Sequence, residues 1–559
     1  MTERVRGLMR GALRGALVLG VLALVAPSSA AAARFAVGVD PGASLTQLAA
    51  TIETTTDGSV TSGDVGLRAL FVDAPAAGEL GALPGVEYVE RVDNAKRRLA
   101  FTPNDPLVGR QWYLNQIRAF DAWPQLPTLP RVLVAVLDSG IDARHPDLAG
   151  RIAATKSFIG GSASEDRRGH GTFVAGEIAA ATGNATGIAG IAFPGQLLVA
   201  KIARADGTIP LEAEARAIRW AVDRGARVIN LSLAGVRHPF RLGQDTYSRL
   251  EASAVAYARR RGALVVAAVG NSDQAPKTPW NYAGYPAALP HVLGVSALER
   301  DGSVSRFSNR DVIYNDLAAP GEDIFSTLPR ALSTSRACAN PGYSDCGPYE
   351  YRRAEGTSFA APQAAAAAAL LLSLRPALAP NQLAWLLERS AVDATPGTGC
   401  KSCRSSRDRY TGWGRLDVTG AVFELTNGAL PRPDRYEAND DAGALAWPLR
   451  WRRGTLTAMI DFWDDQADVY RIRLKRGQRF SAVLHGPAGT DTDLLLWKPG
   501  TRTTRGLAGS SRRLATRATG PGAREHIRRY IARRSGSYYL EVRISRAGSG
   551  PYSLSISKS

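Results

Sequence analysis

Three short segments carry residue types that can cooperate in acyl transfer. The apolar run Val132 to Leu137 ends in Asp138-Ser139-Gly140-Ile141-Asp142. Gly169-His170-Gly171-Thr172 opens the helical run Phe173 to Ala181, and Gly356-Thr357-Ser358-Phe359-Ala360-Ala361-Pro362 opens a helix of small residues. A serine hydroxyl is a poor nucleophile until a base takes its proton. Neutral imidazole is such a base, and a carboxylate can hold it in the right tautomer. Singly, each segment has an ordinary reading. An aspartate at a strand end caps the next turn, a histidine between glycines is suggestive at most, and a serine at a helix start is usually a cap. The chain order Asp, His, Ser, each at a strand end or helix start, changes the odds.

The elements around these segments point the same way. Val132–Leu137, Leu198–Ile202, Val228–Leu231, Leu264–Val269 and Val292–Ser296 are near-continuous apolar strands separated by amphipathic helices. That pattern predicts an α/β domain, a doubly wound parallel sheet covered on both faces. Ligand sites in such sheets lie at the carboxyl ends of strands, where Asp138 stands. Residues 34–101 read as a small α+β unit. It has a strand at Val37 and Val39, a helix from Leu45 to Ile52 and a strand from Leu67 to Val72. A short helix from Ala76 to Leu83, weakened by Gly78 and Gly81, precedes a closing strand from Val86 to Val92. After Pro431 and Pro433 come short alternating strands, Val469–Leu474, Phe480–Leu484, Leu494–Trp497 and Tyr538–Ile544, the pattern of an all-β sandwich.

Composition bounds what else the chain can be. Its 559 residues allow three or four units of ~150 residues. With 45% hydrophobic and 21% charged residues, wholesale disorder is excluded. Arg4, Arg6, Arg10 and Arg14, the apolar run Gly15 to Ala26 and the small residues Ser28 to Ala33 form a secretory signal pattern, cleaved near Ala31-Ala32-Ala33. The apolar run is shorter than the ~20 residues a membrane span needs, and so is Ala360–Leu374. The mature protein is therefore expected outside the cell, with no membrane span. Sixty-one Arg against 8 Lys reads as a GC-rich bacterial codon habit, and the net charge is +18. From Arg432 onward 24 basic residues face 12 acidic ones, and 502–534 holds ten Arg against one acid. That tail reads either as a solvated Arg-rich surface or as a dock for an anionic cell-surface polymer. Tyr530 is the one aromatic of 502–534, so base-stacking recognition of nucleic acid is not indicated.

From about Asn104 to Val422 the chain resembles the subtilisin-like serine peptidases, the subtilases. The resemblance rests on the three segments above, on Gln111-Trp112-Tyr113-Leu114 near the start and on Gly412-Trp413-Gly414-Arg415-Leu416 near the end. It implies a serine endopeptidase that cleaves proteins through an acyl-enzyme, with Asp138, His170 and Ser358 as triad. In Val269-Gly270-Asn271-Ser272, Asn271 matches the family's oxyanion-hole asparagine; its ordinary reading is a turn residue. Ser232, Leu233, Ala234 and Gly235 match the segment that pairs with extended substrate, an added-strand mode of binding. Ala234 stands where many relatives have Gly, which implies narrower neighbouring subsites. Gly284 matches the floor of the primary specificity pocket, which implies a preference for large apolar or aromatic side chains before the cleaved bond. Gln111, Asp147 and Asn184 match ligands of a structural calcium, all hard oxygen donors, although Gly183 replaces a family asparagine. No cofactor is expected for catalysis.

The flanks fit the same family. Residues 1–33 read as signal peptide and 34–101 resemble an inhibitory propeptide, with Phe101 before Thr102 a suitable junction. The peptidase domain is placed at 102–428. Residues 429–559 resemble the pre-peptidase C-terminal domain, through Asp434 to Asp440, Ala467-Asp468-Val469-Tyr470, Thr492 to Leu496 and Gly536 to Leu540. Some such modules bind calcium, with Glu437, Asn439, Asp440, Asp464, Asp465 and Asp468 as candidates here against solvated turn acids. Four cysteines in an exported protein argue for two disulfides, most simply Cys338–Cys346 and Cys400–Cys403, with three pairings open. Partners expected are protein substrates and the chain's own propeptide, and the enzyme is expected to be a monomer. A non-catalytic adhesion protein on an inert peptidase fold is the competing class, and a processing peptidase with few substrates the narrower alternative.

Overall fold

Seven runs of Val, Leu, Ile and Ala build one parallel sheet at the centre of the larger part of the chain. The computed structural model describes residues 33–92, 103–122, 130–333, 343–344, 350–428, 430, 435–437, 439–462, 465–504, 513–546 and 548–559. The signal segment apart from Ala33, Phe101, Cys338, Cys346 and Asp464 lie outside these residues. The chain divides into two compact units, 1–99 and 100–559.

In the first unit four antiparallel strands lie in the order Ser59–Asp64, Ala69–Ala74, Ala33–Val39, Val86–Arg91. The helix Leu45–Thr55 turns Leu48 and Ile52 into the core, one turn apart on one face, and Ser44 caps it through Gln47 N–H. The second helix spans only Ala77–Gly81, as its glycines suggested. Ser59–Asp64 is a strand that the sequence does not announce. Five of its six side chains are exposed, so it has no apolar alternation to read.

In the second unit the strand order is Leu317–Pro320, Val292–Leu298, Leu264–Ala268, Val228–Leu231, Leu133–Asp138, Gln196–Lys201, Ile152–Ser157. Every neighbouring pair is parallel. The chain visits the two strands on one side of Leu133–Asp138 before crossing to the other side. The order therefore reverses at that strand, and a crevice opens at its carboxyl end. The helix Thr357–Leu374 crosses beneath. It is apolar all round, and 89% of it is buried, so its membrane-like length and composition are those of a core helix.

Residues after 435 form the expected sandwich. One sheet runs Trp447–Leu449, Ala467–Leu474, Gly536–Ile544, Thr492–Trp497, Leu514–Ala518; the other runs Arg453–Asp461, Ser549–Lys558, Arg479–His485, Arg524–Ile531. Alternate residues such as Phe480, Ala482 and Leu484 fill the space between them. Arg524–Ile531 escaped the sequence reading because its arginines mask the buried alternation of Glu525 and Ile527.

One buried pair makes the fold sensitive to pH. Glu214 of the helix Leu211–Asp223 and Glu251 of the helix Arg249–Arg260 are both nearly inaccessible. Desolvation raises both carboxyls, helped at Glu214 by the Glu251 charge; Glu251 lies at about 7. The folded chain thus holds a proton that the unfolded chain releases near pH 4.5, so stability falls as pH rises from there to about 7. Glu251→Gln should flatten this dependence by on the order of 3 kcal/mol, read from thermal melts across that window. Equal slopes in wild type and variant would contradict it.

Candidate active site

Asp138 ends the central strand, buried, with Oδ1 accepting from Ser139 N–H at 2.7 Å. Both its oxygens lie on His170 Nδ1, at 2.8 and 2.9 Å. His170 is the first residue of the helix His170–Ala179, reached through Gly169 in the left-handed region at φ +83°. Gly171 permits the approach: a Cβ there would stand 2.2 Å from Gly140 O and 3.1 Å from Asp138 Cβ. Burial opposes charging of the imidazole, but the Asp138 carboxylate and its hydrogen bond outweigh it, and the pKa ends above its ordinary 6.5. The carboxylate thus fixes Nδ1 as the proton-bearing nitrogen and leaves Nε2 to act as a base.

Ser358 lies in the first turn of Thr357–Leu374, and its neighbour Phe359 places a ring 5.3 Å from that of His170. Pro362 has no N–H to give the Ser358 carbonyl four residues back. Ser232 Oγ supplies the missing donor at 2.7 Å and is itself held by Asn230 Nδ2 at 2.9 Å. The Ser358 hydroxyl donates to Ser232 O at 3.1 Å. Asn271 follows the strand Leu264–Ala268, and its Oδ1 accepts from Thr357 N–H at 3.0 Å and Thr357 Oγ at 2.8 Å. That fixes the amide with Nδ2 turned toward Gly356, where a Cβ would be 3.5 Å away. Asp138 is thus joined to His170 and Asn271 to Thr357, the neighbour of Ser358, while Phe359 brings its ring against that of His170.

The segment 232–235 forms its edge. Gly235 N–H donates to Tyr285 O at 2.7 Å and Tyr285 N–H to Gly235 O at 2.9 Å, while Gly284 N–H reaches Val269 O at 2.9 Å. Leu233 packs against the core on the helix Leu211–Asp223 side. A Cβ placed on either Gly270 or Gly284 would lie 2.9 Å from the Ala234 methyl. The methyl therefore stands between these two glycines.

Asp166 has a part that the sequence reading overlooked. Its Oδ1 accepts from Ser139 Oγ at 2.8 Å, Gly169 N–H at 2.8 Å and Arg168 N–H at 3.1 Å. Its Oδ2 accepts from both the N–H and the hydroxyl of Thr172 at 2.8 Å. One buried carboxylate ties the turn after Asp138 to the turn that delivers His170. An acid four residues before a helix-opening histidine was the available signal.

Of the calcium set, Asp147 keeps one buried oxygen, Oδ1, without a partner, and burial raises its carboxyl to about 6. Gln111 Oε1 and Asn184 Oδ1 accept from Ala189 and Thr186 N–H, each at 2.8 Å, with a second lone pair left for a cation. The donor set is all oxygen and fits calcium. Cys400 and Cys403 are joined, as expected; the other expected pair lies outside the described residues.

Comparison with known proteins agrees with this geometry. A family model described as the subtilase family matches residues 130–414. Thermitase of Thermoactinomyces vulgaris is 34% identical over 276 residues, 49% of this chain and 86% of its own. The thermophilic serine proteinase of Bacillus sp. strain AK1 is 35% identical over 292 residues, 52% of this chain and 64% of its own. Subtilisin E of Bacillus subtilis strain 168 is 33% identical over 330 residues, 59% of this chain and 76% of its own. The chain belongs to the subtilase family of serine endopeptidases.

Proposed function

We propose that this subtilase is exported as a precursor, with residues 34–101 as inhibitory propeptide, and hydrolyses proteins outside the cell through an acyl-enzyme on Ser358. The observation that carries the chemistry is the two-oxygen grip of Asp138 on His170 Nδ1 beside the Ser358 helix. His170 Nε2 takes the Ser358 proton as Oγ attacks the scissile carbonyl, then returns it to the leaving amine. Asn271 Nδ2 and the Ser358 N–H donate to the oxyanion. Extended substrate pairs with the backbone of 232–235. Gln111, Asp147 and Asn184 hold a structural calcium, which supplies stability and takes no part in the reaction.

The pocket reading changes with Ala234. Gly284 alone implied room for a large apolar or aromatic side chain before the cleaved bond. The Ala234 methyl occupies the space between Gly270 and Gly284, which favours a small side chain there instead.

Two substitutions test the proposal. Asn271→Ala should lower kcat by ~10²–10³ with KM little changed, measured on peptide substrates. An unchanged kcat would remove the residue from the oxyanion site. Ala234→Gly should raise kcat/KM for substrates with Phe or Leu before the cleaved bond by roughly 10-fold relative to Ala. A wild type that already prefers Phe, with no change in the variant, would refute the small pocket.

A further inference from the structure

The two outer faces of the sandwich are finished differently. On the sheet that holds Ala467–Leu474, the outward side chains Val469, Leu495, Trp497 and Tyr539 pack with Ala442 and Ala446, so the chain itself covers that face. The outward residues of the other sheet stay in contact with solvent along all four strands. Strand register tells what that face carries. Thr455 stands against Ser555, Thr457 against Ser553, and Ser481 against Ser557. The middle of the face is thus mostly hydroxyl, and Thr455 Oγ1 and Ser555 Oγ lie 2.7 Å apart. Exposed arginines border it. Arg453 lies on one edge strand, Arg479 opens the strand Arg479–His485, and Arg524, Arg528 and Arg529 lie on the other edge strand. His485 Nδ1 accepts from Arg524 Nε at 3.1 Å, and His526 Nδ1 from Arg528 Nε at 3.3 Å. Among the described residues no acid points to this side; Glu525 on the edge strand is turned inward, paired with Leu484.

An Arg-rich composition would scatter guanidiniums over the surface, where acids can meet them. Elsewhere the chain does supply acids: Glu212 to Arg216 at 2.9 Å, Asp223 to Arg219 at 3.5 Å, and Glu541 to Arg543 at 2.7 Å on the covered sheet. None of the arginines of the bare face has an ion pair among the described residues. A bulge even adds to their number. The register shifts between Phe480 and Ala482, and opposite it the consecutive residues Arg528 and Arg529 are both exposed. Arg529 takes the left-handed region at φ 48°, and its N–H donates to Ser481 Oγ at 3.0 Å. Strict alternation would have turned one of the two arginines toward the core, whereas the bulge re-aims it to solvent.

Like charges set side by side repel one another, and an anionic ligand removes that repulsion. Guanidinium forks match carboxylate and phosphate oxygens two at a time, while serine and threonine hydroxyls can both donate to and accept from sugar hydroxyls. The same face is poorly made for other polyanions. Tyr530 packs against the sandwich core, its ring 6.0 Å from that of Tyr538, so no aromatic is offered for stacking a base. Ile531 is the one large apolar side chain exposed on these strands, too little to enter a membrane.

We propose that this face binds a linear polysaccharide bearing carboxylate or phosphate groups, and so holds the peptidase against a polyanionic matrix. The test uses the full chain carrying Ser358→Ala, which removes self-cleavage, with polygalacturonate as probe and neutral dextran as control. Calorimetry should show binding to polygalacturonate that weakens as salt is raised, and none to dextran. Arg524→Ser/Arg528→Ser/Arg529→Ser should weaken it by roughly 10-fold or more. Arg453→Ser/Arg479→Ser, on two other strands, should weaken it as well, which local damage to the edge strand would not explain. Arg216→Ser/Arg260→Ser/Arg261→Ser removes the same charge from the peptidase domain and should leave binding unchanged. Equal losses in the two triple variants would reduce the effect to net charge and overturn the site, as would a parent that binds no polygalacturonate. Tighter binding of duplex DNA or of phosphatidylglycerol vesicles, at matched charge concentration, would overturn the polysaccharide as ligand.

Discussion

The structure depends on a carboxylate placed where a parallel sheet reverses its order. Asp138 stands at the carboxyl end of the central strand, the one point at which the flanking loops diverge and leave a crevice. From there it holds His170 through both oxygens. Burial alone would keep the imidazole neutral, whereas the carboxylate also stabilises its charged form. The same pair therefore sets the tautomer of the neutral ring and stabilises its protonated form, as the proposed reaction requires. Asp166 makes this arrangement rigid by gathering the Ser139 and Thr172 turns onto one buried side chain.

Ser358, the proposed nucleophile, is positioned by a helix that violates an ordinary rule. Pro362 deprives the Ser358 carbonyl of its helical donor, and Ser232 fills the vacancy from the segment 232–235. Ser358 is thus fastened to the wall of the cleft by its backbone as well as by its hydroxyl. Asn271, held by Thr357 one residue earlier, completes the link between two strand ends and one helix start. Hydrogen bonds join Ser358 to Ser232 and its neighbour Thr357 to Asn271, so these segments are held as one unit.

Much of this was legible from residue order. Long apolar strands and small-residue helices announce a parallel sheet, and Asp138, His170, Ser358 and Asn271 sit at its strand ends and helix starts. What stayed hidden has physical reasons. Asp166 looks like any polar loop residue until the fold brings Ser139 against it. Ala234 was expected to narrow the neighbouring subsites, but which ones depends on its distance to Gly270 and Gly284, far away in sequence. Ser59–Asp64 and Arg524–Ile531 lack readable alternation because their exposed faces dominate.

The most direct test of the account is covalent labelling of the processed protein with a fluorophosphonate, with the modified peptide mapped by mass spectrometry and the rate followed against pH. The account predicts modification confined to Ser358, with a rate that rises with pH through a midpoint above the ordinary imidazole value of 6.5. A folded, processed protein that takes up no label, or takes it up on another serine, would contradict it.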